Sequence, residues 1–196
     1  MKIISSVVLA VMLGASTLFA GDEENAKAVV VKDWQLAAAG KFAECLALRT
    51  PDYTEKNDDG PTRNYEQTKW QLTSLDGKHP EEFMFFLMTL NGAKIQAEMM
   101  PQIREKASDP KFVQYYKKTC SQLAFVMKED AAFQLKTLRI VSVVINGDSA
   151  SVIVEYDRQV EKSAIPMLQT VYLRKNEGEW KISKIVNGIN RQRKRQ

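Results

Sequence analysis

Residues 135–187 read LKTLRIVSVVINGDSASVIVEYDRQVEKSAIPMLQTVYLRKNEGEWKISKIVN, and this stretch decides the fold. Thr137–Ile145 is dense in Val and Ile, which suit a pleated, half-buried surface, and poor in the residues that helices favour. Asn146-Gly147-Asp148 follows, and Asn-Gly is a strong short hairpin signal because both residues tolerate positive φ. In Ser149–Arg158, Ala150, Val152, Val154 and Tyr156 fall on one face, while Ser151, Glu155 and Asp157 share the other with Ile153. That period of two predicts a strand with one apolar and one wet face. Met167–Lys175 and Glu179–Val186 predict two more strands around Asn176-Glu177-Gly178, with Trp180 and Ile182 alternating against Lys181 and Ser183. The expectation is a four-strand antiparallel meander whose apolar face needs an amphipathic cover.

Residues 22–118 supply that cover. Glu23–Ala39 predicts a helix, with Asp22 as cap, Gly40 as its stop, and Val30 and Trp34 on the inward stripe. Lys41–Leu48 predicts a short second helix ended by Thr50-Pro51, and Lys56–Thr62 is a polar loop. Asn64–Leu75 predicts a helix broken at residues 76–80. After Pro80 and two acids, Phe83–Leu90 reads FMFFLMTL. A buried helix, a strand, and an exposed interaction surface centred on Phe83, Phe85 and Phe86 all fit that run. Ala93–Ala107 reads as helix with a kink at Pro101, and Pro110 opens another through about Lys118. Ser121–Lys128 suits a last helical turn or a strand. Helices first and strands last define an α+β domain.

At 196 residues, 44% hydrophobic and 27% charged, the chain is one globular domain with a sizeable core. Residues 1–20 stand apart. Lys2, the apolar Ile3–Leu13 and the small residues leading to Ala20 form a signal peptide with cleavage expected after Ala20. The chain is therefore expected to be exported, periplasmic or secreted, with no stable membrane anchor after cleavage. The expected domain is 21–190, followed by a basic tail at 191–196. The sequence pI is about 9.0, but the charge lies in that tail. Without residues 1–20 there are 27 basic against 24 acidic side chains, and Arg191, Arg193, Lys194 and Arg195 account for the whole excess. Nucleic acid is thus not an expected partner, and the tail is a solvated end or a contact for anionic surfaces. In an oxidising compartment Cys45 and Cys120 are a candidate disulfide; two separate buried thiols are the alternative.

Two groups of motifs carry a resemblance. Val31-Lys32-Asp33-Trp34 with Ala39-Gly40-Lys41-Phe42, then Ala47-Leu48-Arg49-Thr50-Pro51-Asp52-Tyr53, resembles the opening helices of nuclear transport factor 2-like domains. Val171-Tyr172-Leu173-Arg174-Lys175 with Glu177-Gly178-Glu179-Trp180-Lys181-Ile182 resembles their closing hairpin. The resemblance implies a curved antiparallel sheet of about four strands, wrapped by N-terminal helices into a cone with an internal pocket. The helical middle, about 63–120, is longer than such domains usually carry, so it either fills or caps that pocket. Exported domains of the SnoaL-like and lumazine-binding-like kinds share this architecture, as do isomerases and dehydratases; fold alone does not choose a chemistry.

The residues supply little catalytic equipment. His79, the single His, sits in a Gly-Lys-His-Pro-Glu-Glu loop suited to solvent, and the scattered His and Cys offer no zinc spacing. No metal, cofactor or catalytic residue is expected. No phosphate loop or nucleophile elbow occurs, and Glu155 and Asp157 lie by parity on the wet face. The candidate ligand pocket is aromatic: Trp34, Tyr53, Tyr65, Trp70, Tyr156 and Tyr172. The expected function is a non-catalytic binding module for a small apolar ligand or a protein partner. The alternative is a small-molecule isomerase or hydratase, which requires a carboxylate inside the pocket.

Overall fold

The computed structural model describes residues 3–57, 60–90, 96–161 and 163–191, with side chains from residue 21 onward. The helices are α1 (Ile3–Ala38), α2 (Phe42–Leu46), α3 (Tyr65–Ser74), α4 (Pro80–Leu90), α5 (Met100–Ala107) and α6 (Pro110–Thr137). The strands are β1 (Arg49–Asn57), β2 (Arg63–Asn64), β3 (Arg139–Asn146), β4 (Ser149–Val160), β5 (Ser163–Asn176) and β6 (Glu179–Ile189). They form one curved sheet in the order β2-β1-β6-β5-β4-β3. The side chains of the expected leader, and the tail beyond Arg191, lie outside the described residues. Among the described residues no helix is long and apolar enough to cross a membrane.

The C-terminal meander forms as its sequence dictates. In the β3–β4 hairpin Asn146 pairs with Ser149, so the turn centres on Gly147-Asp148 and only Gly147 (φ 57°) is left-handed. Between β5 and β6, Glu177 (φ 52°) and Gly178 (φ 84°) are both left-handed, the type I′ geometry that matches strand twist. The sheet has six strands rather than four, and it is mixed. β1 runs parallel to β6, with Glu55 opposite Ile185 and Asn57 opposite Asn187. The stretch RTPDYTEKN carries Pro and four charges and lacks an apolar run, so its strand state comes from a distant partner.

Register shifts once between β5 and β6: Leu173 pairs with Ile182, but Tyr172 pairs with Lys184, leaving Ser183 as an extra residue. This bulge resets the alternation, so the inward positions run Trp180, Ile182, Ile185, Asn187.

α1 and α6 cover the concave face. α1 closes at Gly40 (φ 74°), where Lys41 N donates to Leu36 O at 2.8 Å and Gly40 N to Ala37 O at 2.9 Å, a Schellman stop. α6 is one 28-residue helix that absorbs both the ambiguous Ser121–Lys128 and the expected strand start at Leu135–Thr137. Asp109 caps it, accepting from Lys111 N and Phe112 N, and Pro110 opens it. Pro101 likewise sits at the start of α5 and kinks nothing. α3 begins with a reciprocal capping box between Asn64 and Gln67.

Ala26, Val30 and Trp34 of α1 pack onto Val152, Val154, Val171, Leu173 and Ile182 of the sheet. Phe83, Phe85 and Phe86 are buried within α4; Phe83 and Phe86 pack with Tyr116 and Cys120, and Phe85 meets Trp70 at 5.3 Å between ring centroids. The surface reading of those three phenylalanines is therefore corrected, because the amphipathic middle of the chain needs its own core. The disulfide is corrected too. Cys45 and Cys120 are free, buried in two different clusters, with Phe42 and Leu72 around one and Phe83 and Tyr116 around the other. Burial pushes the Cys45 thiol up to about 12 and that of Cys120 to about 11.

Candidate functional site

The middle helices do not fill the cone. A cavity of about 410 Å³ lies between α1, α6 and the concave ends of β1, β4, β5 and β6. Its wall is more polar than an aromatic pocket. Three carboxylates (Asp33, Glu55, Asp130) and three arginines (Arg49, Arg63, Arg158) line it, with Trp34, Tyr156 and the amides of Asn57, Gln134, Gln169 and Asn187.

Each polar group is placed by its element. Asp33 shares a helical turn of α1 with Trp34, and Arg49 is the first residue of β1. Arg49 Nη1 and Nη2 donate to Asp33 Oδ1 at 2.8 Å and Oδ2 at 3.0 Å, a bidentate, nearly buried pair. Nη1 also donates to the carbonyl of Cys45, and the guanidinium lies 5.1 Å from the ring centroid of Tyr53. Burial alone lowers the affinity of Arg49 for its proton, but Asp33 outweighs it and holds the guanidinium firmly charged. Arg49 Nε is buried with no hydrogen-bond partner among the described residues.

Along β1, Glu55 points inward and collects three neighbours: Tyr53 Oη donates to it at 3.3 Å, Asn187 Nδ2 at 3.3 Å, and Arg63 Nη2 stands 3.6 Å away. That carboxylate fixes a chain of amides. Only an N–H can face Glu55, so Asn187 turns Nδ2 to Glu55 and, at 2.9 Å, to Asn57 Oδ1. Asn187 Oδ1 must then accept, and it accepts from Gln169 Nε2. Gln169 Oε1 is left facing the cavity wall, buried, with no donor among the described residues; the residue is only 6% exposed. On α6, Trp34 Nε1 donates to Gln134 Oε1 at 3.0 Å and Gln134 Nε2 to Asp130 Oδ2 at 2.8 Å. Among the described residues Asp130 has no cation within ion-pair distance, and Arg158, exposed at the rim, has no carboxylate there. Trp34 meets Tyr156 edge-on at 5.5 Å, and burial pushes the Tyr156 hydroxyl up to about 12. Among the described residues no three His, Cys, Asp or Glu side chains converge to hold a metal ion.

Of the six aromatics read from sequence, Trp34 and Tyr156 line the cavity. Tyr53 is buried behind the wall as a support for Glu55 and Arg49, and Tyr65 packs on the edge of the same core. Trp70 belongs to the separate cluster around Phe85, and Tyr172 stands 40% exposed on the convex face under Lys184. Those two are corrected: Trp70 faces α4, and Tyr172 has the parity opposite to Val171 and Leu173. Glu155 is on the convex face as expected, bonded to Arg139 and Asn190. His79 is half-exposed beside Asp76, 3.6 Å away. Gln169 could have been found in advance, since it shares the inward phase of Val171 and Leu173. Asn187 could not, because the bulge at Ser183 shifts its phase.

A curved sheet closed by two helices over an internal cavity defines the nuclear transport factor 2-like fold, and this chain has it. No known family model matches the chain, and no curated protein does. Among solved structures it resembles a nuclear transport factor 2-like protein with a cystatin-like fold from Novosphingobium aromaticivorans, at TM-score 0.53 and 11% identity over 92% of this chain and 90% of that one. A nuclear transport factor 2-like protein of unknown function from Shewanella oneidensis superposes at TM-score 0.45, 12% identical over 84% of this chain and 96% of that one. A ketosteroid isomerase-like protein from Erwinia carotovora does so at 0.43, 11% identical over 86% and 96%. At these identities the likeness is one of fold.

Proposed function

We propose that this chain is an exported binding module that holds a small polar molecule in the cone cavity and returns it unchanged. The observation that carries this reading is Gln169 Oε1, a buried acceptor at the cavity wall whose orientation Glu55 and Asn187 fix and which no donor among the described residues satisfies. An orphan buried acceptor costs about 1–3 kcal/mol, which a bound donor relieves. The polarity of the wall moves the ligand class from apolar to polar. A non-catalytic role is supported by the carboxylates' engagements, since Asp33 is clamped by Arg49 and Glu55 by Tyr53, Asn187 and Arg63. The isomerase or hydratase reading rests on Asp130, the cavity acid without a cation.

Export rests on the character of residues 1–20. Native mass spectrometry of the full chain expressed with its leader tests both readings. The expected result is a mature species beginning at Gly21 with a non-covalent small molecule that leaves with unaltered mass. A chain that retains residues 1–20 overturns export. A chain free of ligand, with no stabilisation by any member of a panel of small polar metabolites, overturns the binding module.

A further inference from the structure

Three groups of the cavity wall lack a partner among the described residues, and together they describe a ligand. The first is Gln169 Oε1, which is buried and needs a donor. The second is Asp130, which has one hydrogen bond, from Gln134, and no cation beside it among those residues. The third is Arg158, exposed at the rim and without a carboxylate partner among them. All other charges in the wall are matched internally: Asp33 with Arg49, Glu55 with Arg63. The wall thus holds three acids and three arginines and sums to zero. A ligand of one sign alone would engage only one of the two charged groups left over, Asp130 or Arg158. A zwitterion keeps the balance, with its ammonium at Asp130 and its carboxylate at Arg158.

Register sets the length. Gln169 pairs with Val154, and Arg158 stands four residues further along β4, about 13 Å of strand at 3.3 Å per residue. Part of that gap is covered by the long Arg158 side chain, and the rest needs more than a one-carbon side chain. Between the two ends the lining is Trp34, Tyr156, Met127 and Met167, the aromatic and thioether surface that accepts a ring. At the deep end a hydroxyl suits, because it donates to Gln169 Oε1 without adding a charge to a wall that already sums to zero. We infer that the cavity takes a hydroxylated aromatic α-amino acid, with its phenolic hydroxyl on Gln169 and its ammonium and carboxylate on Asp130 and Arg158.

This inference rests on the binding-module reading and is tested separately from it. Isothermal calorimetry on the full chain compares L-tyrosine with three probes that each lack one group: L-phenylalanine, tyramine and 3-(4-hydroxyphenyl)propionate. The expected result is binding of L-tyrosine, with each deletion weakening affinity at least tenfold. In Gln169→Leu, the preference for L-tyrosine over L-phenylalanine should vanish while the circular dichroism spectrum stays unchanged. Arg158→Ala should remove the difference between L-tyrosine and tyramine. Equal binding of all four probes, no binding of L-tyrosine, or an unchanged preference in Gln169→Leu overturns the inference. If L-tyrosine fails while native mass spectrometry still finds a retained small molecule, only this inference falls; if nothing is retained and no polar metabolite stabilises the chain, the module reading falls with it.

Discussion

The concave face of this sheet has two halves that share strands β4, β5 and β6 and differ in their side chains. In one half, Ala150 pairs with Leu173 and Leu173 with Ile182; beside them Val152 pairs with Val171 and Val171 with Ile185. One step along, the rung reads Val154, Gln169, Asn187, Asn57. The first half is dry and self-sufficient. The second satisfies its amides laterally, strand to strand, and ends on an acceptor that no donor among the described residues meets. The β4–β5 ladder runs unbroken through both halves and the one β5–β6 bulge lies in the dry half, so irregular pairing does not dictate which half becomes a site. Inward polar residues do, at the cost of stability that a second hydrophobic rung would have supplied.

That contrast can be broken from either side. The largest effect is expected at the clamp bordering the polar half: Asp33→Ala leaves the Arg49 guanidinium buried without its anion and should cost about 4 kcal/mol in urea unfolding. Replacing both, as Asp33→Leu with Arg49→Met, should recover most of that loss. In the dry half, Leu173→Ala opens a void among side chains with no water to fill it, and about 3 kcal/mol should be lost. The alkaline limb comes next. Tyr156 is held neutral by burial, with its folded value raised to about 12 against about 10 in the unfolded chain. Its contribution is intact below about pH 10 and lost as pH rises through about 12, a fall of about 3 kcal/mol that Tyr156→Phe should remove. Gln169→Leu should change stability by less than about 1 kcal/mol, because it deletes an orphan acceptor while costing Asn187 a donor; a loss as large as that of Leu173→Ala would erase the distinction between the halves. The smallest effect is a null one: a thiol reagent at pH 8 should label neither Cys45 nor Cys120 until denaturant is added, and then both.

Legibility in the sequence follows the same division. The dry half announces itself, because Val and Ile in strict alternation and glycines at the turns are local signals, and the hairpins formed where those signals stand. β1 gave none: Pro51 and the charges of DYTEK read as a helix stop and a loop, and the strand exists through parallel pairing with β6 more than a hundred residues away. α6 was cut short on paper because Ser121–Lys128 mixes helix and strand formers, whereas its real span is set by packing on α1 and β4. Of the aromatic residues, Trp34 and Tyr156 stand on the cavity wall, but the polar groups that characterise it have no aromatic signature to mark them. Asp33, Arg49 and Glu55 carry no local signal of a site, and only the approach of β1 to α1 brings them together on the cavity wall.

The bulge at Ser183 has a further meaning. Across it β5 advances by one residue and β6 by two, so the residues on either side already point the right way without Ser183. Deleting Ser183 would give an unbroken ladder with Trp180, Ile182, Ile185 and Asn187 still directed inward, but with less bend in the strand. Shape and chemistry are therefore set by different residues in this sheet. The bend of β6 is set at Ser183, a position that contributes no side chain to the cavity wall, so it can be altered while the lining groups stay the same.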